Sequence, residues 1–234
     1  MITDGHNHTK HFSVDAGQTI DELVAQATSH GCKRIGITEH YEIDYPPDGL
    51  NWMFDINEYN ETFKTWRDKF GSQIELLMGI EFGYQTHVAE EIDKTAETVP
   101  FDVVLLSNHL FRGKDFYVER ECYDLPKKDL HREYIGIMAE MCEKCNNFDV
   151  AAHYDYINRY TDNLANFVLY EDCPREFDRF FEALISKEKA LEINTKSIQK
   201  HKEGGFKRHL PDPEVIKRYK DMGGKLICFG SDSH

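Results

Sequence analysis

Several features that would assign a protein class at once are missing from this chain of 234 residues. No apolar run is long enough to cross a membrane, and the N-terminus lacks the apolar stretch of a secretory leader. Neither a GxSxG nucleophile elbow nor a GxxxxGK[ST] phosphate loop occurs. We therefore expect a cytoplasmic protein that makes no use of a membrane and whose chemistry rests on neither motif.

Positive charge is also scarce. Asp and Glu number 42 against 28 Lys and Arg, which gives a formal net charge of −14. This balance argues against a general nucleic-acid binder, whose surface would be basic. It is compatible with a small anionic substrate, because bound divalent ions can reverse the local field. The oligomeric state leaves no mark in the sequence.

Cysteines are few and scattered, and there are six of them. Cys142 and Cys145 form a CxxC, but they lie in a helical pattern and no second CxxC follows. We interpret the six as ordinary reduced thiols rather than as a zinc ribbon or a redox pair.

Short apolar runs alternate with helical patterns along the whole chain, which is typical of βα units and a parallel sheet. Strands are predicted at residues 2–6, 34–38, 74–82, 102–107, 150–153, 190–194 and 225–230. Helices are predicted at residues 19–30, 56–70, 88–98, 128–145, 175–187 and 213–222. Seven strands and six helices predict an α/β fold, a (β/α)7 TIM-like barrel, as a single domain over residues 1–234. The last strand ends just before the end of this sequence, so we expect a C-terminal helical segment to be lacking.

Three long rim loops separate these elements. They run over residues 41–55, 110–126 and 200–211, and the first two are candidate substrate lids. Gly31 and the pair Gly223-Gly224 follow predicted helices as C-cap glycines do. Asp212-Pro213 has the form of an N-cap followed by proline at the first helical position.

Metal-binding side chains recur where the predicted strands end, and function in such barrels gathers at the C-terminal ends of the strands. His6 and His8 share an i, i+2 spacing on an extended segment, so both imidazoles point the same way. Asp232 and His234 repeat this spacing at the other end of the chain. The candidate metal ligands are His6, His8, Asp15, His40, Glu81, His109, His153, Asp232 and His234. Nitrogen and oxygen ligands of this kind suit zinc, iron or manganese.

Several neighbouring residues keep two interpretations. Asp15 either completes the ligand set or caps a helix, and Asp4 either supports a ligating imidazole or ends a strand. Glu42, Asp44 and Asp55 could meet a cationic substrate, or could lie on a solvated loop. We expect most of the other histidines to be surface residues: His11, His30, His87, His131, His201 and His209.

These motifs resemble the PHP (polymerase and histidinol phosphatase) family over the whole chain. The segments of this chain that are similar to the family's signatures are Asp4-Gly5-His6-Asn7-His8, Thr38-Glu39-His40, the lone His109 and His153, and Ser231-Asp232-Ser233-His234. Glu81 matches the bridging glutamate of the family. The resemblance implies a distorted (β/α)7 barrel with three divalent ions. It groups the ligands as His6, His8, Glu81 and Asp232; Glu81, His109 and His153; and His40, His234 and Asp15.

Within the family, the chain looks most like the stand-alone histidinol-phosphate phosphatases. The segments around Arg159 and Lys196 are similar to segments in which two basic residues hold the substrate phosphate. Lys196 stands where arginine is usual, so it keeps the charge and loses the bidentate fork.

The resulting hypothesis is a metal-dependent hydrolysis of a phosphate monoester, L-histidinol phosphate, in histidine biosynthesis. The residues assigned to catalysis are Glu81, Asp232 and His234. Protonation of the leaving oxygen falls to His234, to His209 or to a metal-bound water, and His209 joins the two basic residues as a substrate contact. The alternatives are another phosphate monoester (phosphotyrosine, a sugar or a nucleotide phosphate), a phosphodiesterase or exonuclease, and a non-catalytic metal-binding regulator.

Overall fold

The structure, a computed structural model, describes residues 2–46, 50–161, 163, 167–198 and 211–234. Its strands are β1 Ile2–Asp4, β2 Cys32–Glu42, β3 Glu75–Gly83, β4 Val103–Ser107, β5 Leu110–Phe111, β6 Lys114–Asp115, β7 Val150–Ala151, β8 Ala190–Asn194 and β9 Ile227–Gly230. Its main helices are α1 Ile20–Ser29, α2 Ile56–Phe70, α3 Ala89–Ala96, α4 Lys127–Lys144, α5 Pro174–Ser186 and α6 Pro213–Asp221.

Seven parallel strands form one sheet in the order β1-β2-β3-β4-β7-β8-β9. The two outer strands approach each other at their carboxyl ends, where Asn7 and Ser233 form an isolated parallel bridge. The Gly5 amide donates to the carbonyl of Phe229 at 2.9 Å, and the Asp232 amide donates to the carbonyl of His6 at 2.8 Å. The sheet is therefore a nearly closed barrel with helices around it, and the predicted (β/α)7 fold is confirmed.

Local signals in the sequence account for the helix ends. Thr19 caps α1 in a capping box with Glu22, and Asp212 caps α6 directly before Pro213. Gly31 and Gly223 follow α1 and α6 with φ of 79° and 101°, a region that favours glycine. No helix in the part of the chain that is described has the length and apolar character of a membrane span.

Side chains alternate between the two faces of the sheet. In β3, Ile80 and Phe82 point outward into the main apolar core, which packs between the sheet and the helices. Glu81 lies between them and pairs in register with His40 of β2 and Leu105 of β4, so all three face the barrel interior. The interior holds a small apolar cluster of Leu105, Val150 and Ala152 beneath the polar residues.

Four strand boundaries differ appreciably from those predicted. β1 and β7 stop early, at Asp4 and Ala151, although the segments that follow keep single backbone hydrogen bonds to neighbouring strands, from Gly5 to Phe229 and from Ala152 to Leu106. β2 runs from Cys32 to Glu42, so it includes His40, and β9 starts at Ile227. A small antiparallel hairpin of β5 and β6 lies inside the stretch 110–126 that was expected to be a loop.

Candidate metal centre

His6 and His8 lie just beyond β1, in the segment that closes the barrel. The bridge between Asn7 and Ser233 keeps this segment extended, so both imidazoles enter the interior. Both are fully buried, and their Nε2 atoms are 3.0 Å apart. The i, i+2 spacing thus brings two ring nitrogens to one point, as the sequence predicts.

Glu81 is fully buried at the centre of the interior, and its two carboxylate oxygens face opposite groups of imidazoles. Oε2 lies 3.3 Å from Nε2 of His6, 3.5 Å from Nε2 of His8 and 2.9 Å from Nδ1 of His40. Oε1 lies 2.8 Å from Nε2 of His153 and 3.4 Å from Nε2 of His109. A carboxylate placed in this way can bridge two cations.

Asp232 completes the group around His6 and His8. Its Oδ1 lies 3.2 Å from Nε2 of His8 and 3.6 Å from Nε2 of His6. Its backbone has φ of 54°, a left-handed conformation that aspartate tolerates better than most residues. This conformation turns the chain directly after β9 and brings the carboxylate into the interior.

A third group lies nearer the surface. Nε2 of His40 and Nε2 of His234 are 3.3 Å apart, and Oδ2 of Asp15 lies 3.7 Å from the first and 3.3 Å from the second. His8 also lies close to this group, since its ring stacks on His40 with centroids 4.1 Å apart. The structure therefore brings all nine predicted ligands into one connected cluster, hereafter the metal cluster.

The donor chemistry of the metal cluster suits cations. Ring nitrogens face each other at 3.0 to 3.4 Å in three histidine pairs, so each pair needs a shared proton or a shared cation between its nitrogens. Oε2 of Glu81 has no well-aligned hydrogen-bond donor although it is buried. Imidazoles and carboxylates converging on shared points fit zinc, iron or manganese.

Without a cation, the cluster shares protons. Burial lowers the pKa of His6, but Glu81 and two further carboxylates outweigh it and hold that pKa well above its usual range. Burial likewise lowers the pKa of His40, but Glu81 and Asp15 raise it to about 9. Burial raises the pKa of Glu81, but the surrounding imidazoles hold it well below its usual range. Protons on His6 and His40 thus balance the charge of Glu81 when no metal is bound, and metal binding must release them.

Two buried glutamates support the cluster from behind, and the sequence interpretation did not assign either of them this position. Oε1 of Glu192 lies 2.8 Å from Nδ1 of His6, and Oε1 of Glu42 lies 2.6 Å from Nδ1 of His109. If each Nδ1–H donates to its carboxylate, the Nε2 lone pairs are left to face Glu81. Glu192 also accepts a hydrogen bond from the His153 amide at 2.7 Å. A charged residue inside the apolar strand sequence Leu191-Glu192-Ile193 is the signal that could have identified it.

Two glycines leave room for these glutamates. A Cβ at position 83 would overlap the Glu42 carboxylate, and a Cβ at position 230 would overlap both Glu192 and His6. Gly83 and Gly230 are therefore required by close approach rather than by backbone conformation.

The PHP domain matches residues 4–196 of the chain. The chain belongs to the PHP domain family. A probable histidinol-phosphatase of Clostridium acetobutylicum is 31% identical over 237 residues, covering 100% of this chain and 87% of the relative. The histidinol-phosphatase of Lactococcus lactis is 29% identical, covering 99% of this chain and 83% of the relative.

Solved structures agree with this assignment. Histidinol phosphate phosphatase from Lactococcus lactis, in complex with zinc, L-histidinol and phosphate, has a TM-score of 0.84 and 28% identity. The alignment covers 99% of this chain and 86% of that one. A putative histidinol phosphatase from Listeria monocytogenes shares the fold, with a TM-score of 0.79, 17% identity, and coverage of 100% and 95%.

Two of the three predicted substrate residues of this PHP protein, Arg159 and Lys196, line a cavity beside the metal cluster. Nη1 of Arg159 lies 2.5 Å from Oδ2 of Asp232, and the Arg159 Nε–H donates to the Ser197 hydroxyl at 3.3 Å. Its other terminal nitrogen, Nη2, is buried without a hydrogen-bond partner. Lys196 lines the same cavity. The third predicted contact, His209, lies outside the described residues, as does His201.

Two secondary expectations are resolved. Of the two interpretations of Asp4, the structure supports the strand end, because β1 ends at Asp4 and its carboxylate accepts hydrogen bonds from the backbone amides of Ser231 at 2.9 Å and His6 at 3.3 Å. His131 is not a surface residue but is fully buried, with Nδ1 3.1 Å from Asp172.

The loop acids also have defined partners. Glu42 is buried against His109, Asp44 lies 2.8 Å from His87, and Asp55 caps α2. His11, His30 and His87 are exposed, as expected. All six cysteines are free thiols, which agrees with the interpretation of the CxxC.

Proposed function

We propose that this protein is a metal-dependent phosphatase that hydrolyses L-histidinol phosphate to L-histidinol and phosphate, a step of histidine biosynthesis. The observation that carries the proposal is the position of Arg159, a buried guanidinium with one unpartnered nitrogen beside the metal cluster. The Lactococcus lactis relative, which was solved with zinc, L-histidinol and phosphate, supports the same substrate.

The ligand groups are proposed to hold three divalent ions. His6, His8, Glu81 and Asp232 form the first group, Glu81, His109 and His153 the second, and His40, His234 and Asp15 the third. Zinc is the ion named for the Lactococcus lactis structure, and the donor set also suits iron and manganese. Such ions, when bound, lower the pKa of water toward neutrality and neutralise phosphoryl oxygens.

The protein's own residues bind and orient the substrate. The free Nη2 of Arg159 can donate to a phosphoryl oxygen, and the bond from Nη1 to Asp232 fixes the plane of the guanidinium. The Tyr156 ring supports the guanidinium from one face, with the carbon 5.0 Å from the ring centroid. Lys196 adds a second positive charge to the same cavity. Charge that develops on the phosphoryl oxygens thus meets donors that are already in place.

We assign His234 to the third group of ligands through Nε2, so this nitrogen does not also protonate the leaving oxygen. Its side chain is 23% exposed and lies where the metal cluster meets the cavity, so water can reach the leaving oxygen there and supply the proton. Nδ1 of His234 lies 3.0 Å from the carbonyl oxygen of Asp232, which orients the ring.

A substrate panel tests the proposal. Phosphate release from L-histidinol phosphate, p-nitrophenyl phosphate and bis-p-nitrophenyl phosphate should be measured with protein of known metal content. We expect kcat/KM to be highest for L-histidinol phosphate and negligible for the diester. Preference for another monoester would support phosphatase activity but would reject L-histidinol phosphate as the substrate. Preference for the diester would indicate the phosphodiesterase alternative, and no turnover at full metal content would indicate the regulatory alternative.

A further inference from the structure

Glu39 lies in β2 directly before the ligand His40, so its side chain is on the opposite face of the strand. It pairs in register with Ile80, whose side chain points into the main apolar core. The Glu39 side chain is nevertheless fully buried. A carboxylate on the apolar face of a sheet costs free energy unless donors surround it, and an apolar residue of similar size can serve stability equally well. A glutamate at this position therefore indicates a role other than stability.

Neutral donors from the loop that joins β1 to α1 hold this carboxylate. Oε1 accepts a hydrogen bond from the Thr9 hydroxyl. Oε2 accepts from the Thr9 amide at 3.0 Å and from the Ser13 hydroxyl at 2.6 Å. Thr9 and Ser13 are themselves buried. Because hydrogen bonds to a charged group are stronger than neutral ones, Glu39 anchors both residues of the loop to β2.

The Ser13 hydroxyl connects this anchor to the metal cluster. Besides donating to Glu39, its oxygen accepts a hydrogen bond from the His40 amide at 3.0 Å. Nδ1 of His8 lies 3.4 Å from the same oxygen, which is too far for a strong hydrogen bond. The hydroxyl thus joins the loop to β2 at the residue whose imidazole belongs to the third group of ligands.

The same loop carries Asp15, another ligand of the third group. Asp15 lies in a turn that the Ser13 carbonyl closes, since it accepts from the Ala16 amide at 3.2 Å. The Asp15 side chain is 39% exposed, so packing alone does not fix it. Its Oδ2 still lies 3.3 and 3.7 Å from the Nε2 atoms of the two histidines of that group. The contact between Glu39 and Ser13 therefore holds the turn that presents Asp15.

The third group depends on this loop more than the other two groups do. Eight of the nine ligands of the metal cluster lie in a strand or in the segment that directly follows one, so the barrel itself places them. Asp15 instead lies well beyond the end of β1, close to α1. A ligand on a connecting loop needs a separate anchor if it is to hold an ion tightly.

We propose that Glu39 and Ser13 are positioning residues for the ion held by the third group, His40, His234 and Asp15. Glu39 orients the Ser13 hydroxyl, and Ser13 fixes the His40 backbone and the turn that carries Asp15. Neither Glu39 nor Ser13 is itself a ligand. This role rests on the ligand groups of the proposed function and deepens it, because it identifies residues that control the affinity for one ion and leave the other two unaffected.

Competition between the zinc-loaded full chain and a chromophoric chelator tests this assignment without needing turnover. Ser13→Ala removes the hydroxyl and leaves Glu39 bonded to Thr9. We expect this variant to bind one zinc ion about tenfold to a hundredfold more weakly than the unaltered protein, and to bind the other two with unchanged affinity. Ser186→Ala is the matched control, because its hydroxyl bonds to a helix carbonyl outside the metal cluster, and it should change no affinity.

A double-mutant cycle separates positioning from a general effect on stability. Asp15→Asn weakens the binding of the same ion directly, so its loss and that of Ser13→Ala should be less than additive in the double variant. A second pair of variants at Glu39 gives an independent check. Glu39→Gln keeps an acceptor oxygen for the Ser13 hydroxyl and should retain most of the affinity, whereas Glu39→Leu should match Ser13→Ala.

The assignment is overturned if Ser13→Ala weakens all three ions equally, if it weakens none, or if its loss adds fully to that of Asp15→Asn. Failure of the proposed function looks different. In that case the unaltered protein holds fewer than three zinc ions, or it holds three and releases no phosphate from L-histidinol phosphate. Circular dichroism detects a folding defect, and if Ser13→Ala does not fold, equal zinc affinities of Glu39→Gln and Glu39→Leu overturn the assignment instead.

Discussion

The floor of the cavity and its mouth are held in place by different contacts. At the floor, the metal cluster comes from the ends of barrel strands, its core ligands are buried, and two glutamates brace their imidazoles. At the mouth, the β5–β6 hairpin and the loop after β2 meet through Asp115 and Tyr45, and Tyr117 is largely exposed. A rigid floor suits chemistry that needs fixed donors. At a mouth built from loops, substitutions can alter which small molecule binds without disturbing the barrel.

The largest loss at the floor should follow Glu81→Ala. This change removes the carboxylate that faces both groups of imidazoles, so we expect the second and first metal groups to empty together and activity to fall about a thousandfold or more. Elemental analysis and phosphate release in the same samples provide the check. Glu75→Ala, at an exposed position of the same strand, should leave both values unchanged. Full metal content with normal turnover would refute the bridging role.

A smaller loss at the floor should follow Glu192→Gln. The amide cannot carry the charge that favours the Nδ1–H form of His6, so we expect metal affinity to fall about tenfold to a hundredfold. Competition with a chromophoric chelator measures this affinity. Asp172→Asn is the matched control, because it alters a buried histidine–carboxylate pair with His131 outside the metal cluster. Equal effects of the two changes would mean that Glu192 acts only on stability.

A substitution of Lys196, which lies between the floor and the mouth, should have a smaller effect on catalysis. Lys196→Arg restores a bidentate fork in the cavity, and we expect KM for L-histidinol phosphate to decrease on the order of fivefold with kcat little changed. Steady-state kinetics measures the split. An increase in KM would show that Lys196 does not face the phosphate.

The weakest effect concerns the stability of the metal-stripped protein. His40 has a pKa of about 9 in the folded chain, above its unfolded value of about 6.5. Protonated His40 therefore contributes fully to the free energy of unfolding below about pH 6.5, and this contribution is lost as the pH rises through about 9. Urea unfolding in the presence of a chelator, at pH 6, 7.5 and 9.5, should give a falling free energy of unfolding. In the zinc-loaded protein the trend should reverse at acid pH, because protons compete with the metal.

The sequence predicts the floor far better than the mouth. Strand order and the ligands at strand ends follow from apolar periodicity and from the spacing of His6, His8 and Asp232, because parallel strands bring their carboxyl ends to one rim. Glu192 and Glu42 were missed as partners of specific imidazoles, since pairing across the barrel depends on strand register.

The mouth depends on contacts that no local pattern encodes. The hairpin of β5 and β6 is only two residues long in each strand, too short for a recognisable alternation. The contact between Tyr45 and Asp115 joins residues 70 positions apart. His131 was misplaced for a related reason: its partner Asp172 lies on another segment, and only that contact explains its burial.

We propose that the protein hydrolyses L-histidinol phosphate only when cations are bound at the metal cluster. The most direct measurement adds zinc stepwise to metal-stripped protein and determines bound zinc and phosphate release in each sample. We predict no turnover in the stripped protein and a plateau of activity as bound zinc approaches three ions per chain. Phosphate release that is undiminished in stripped protein, or three bound ions without any release, would contradict the account.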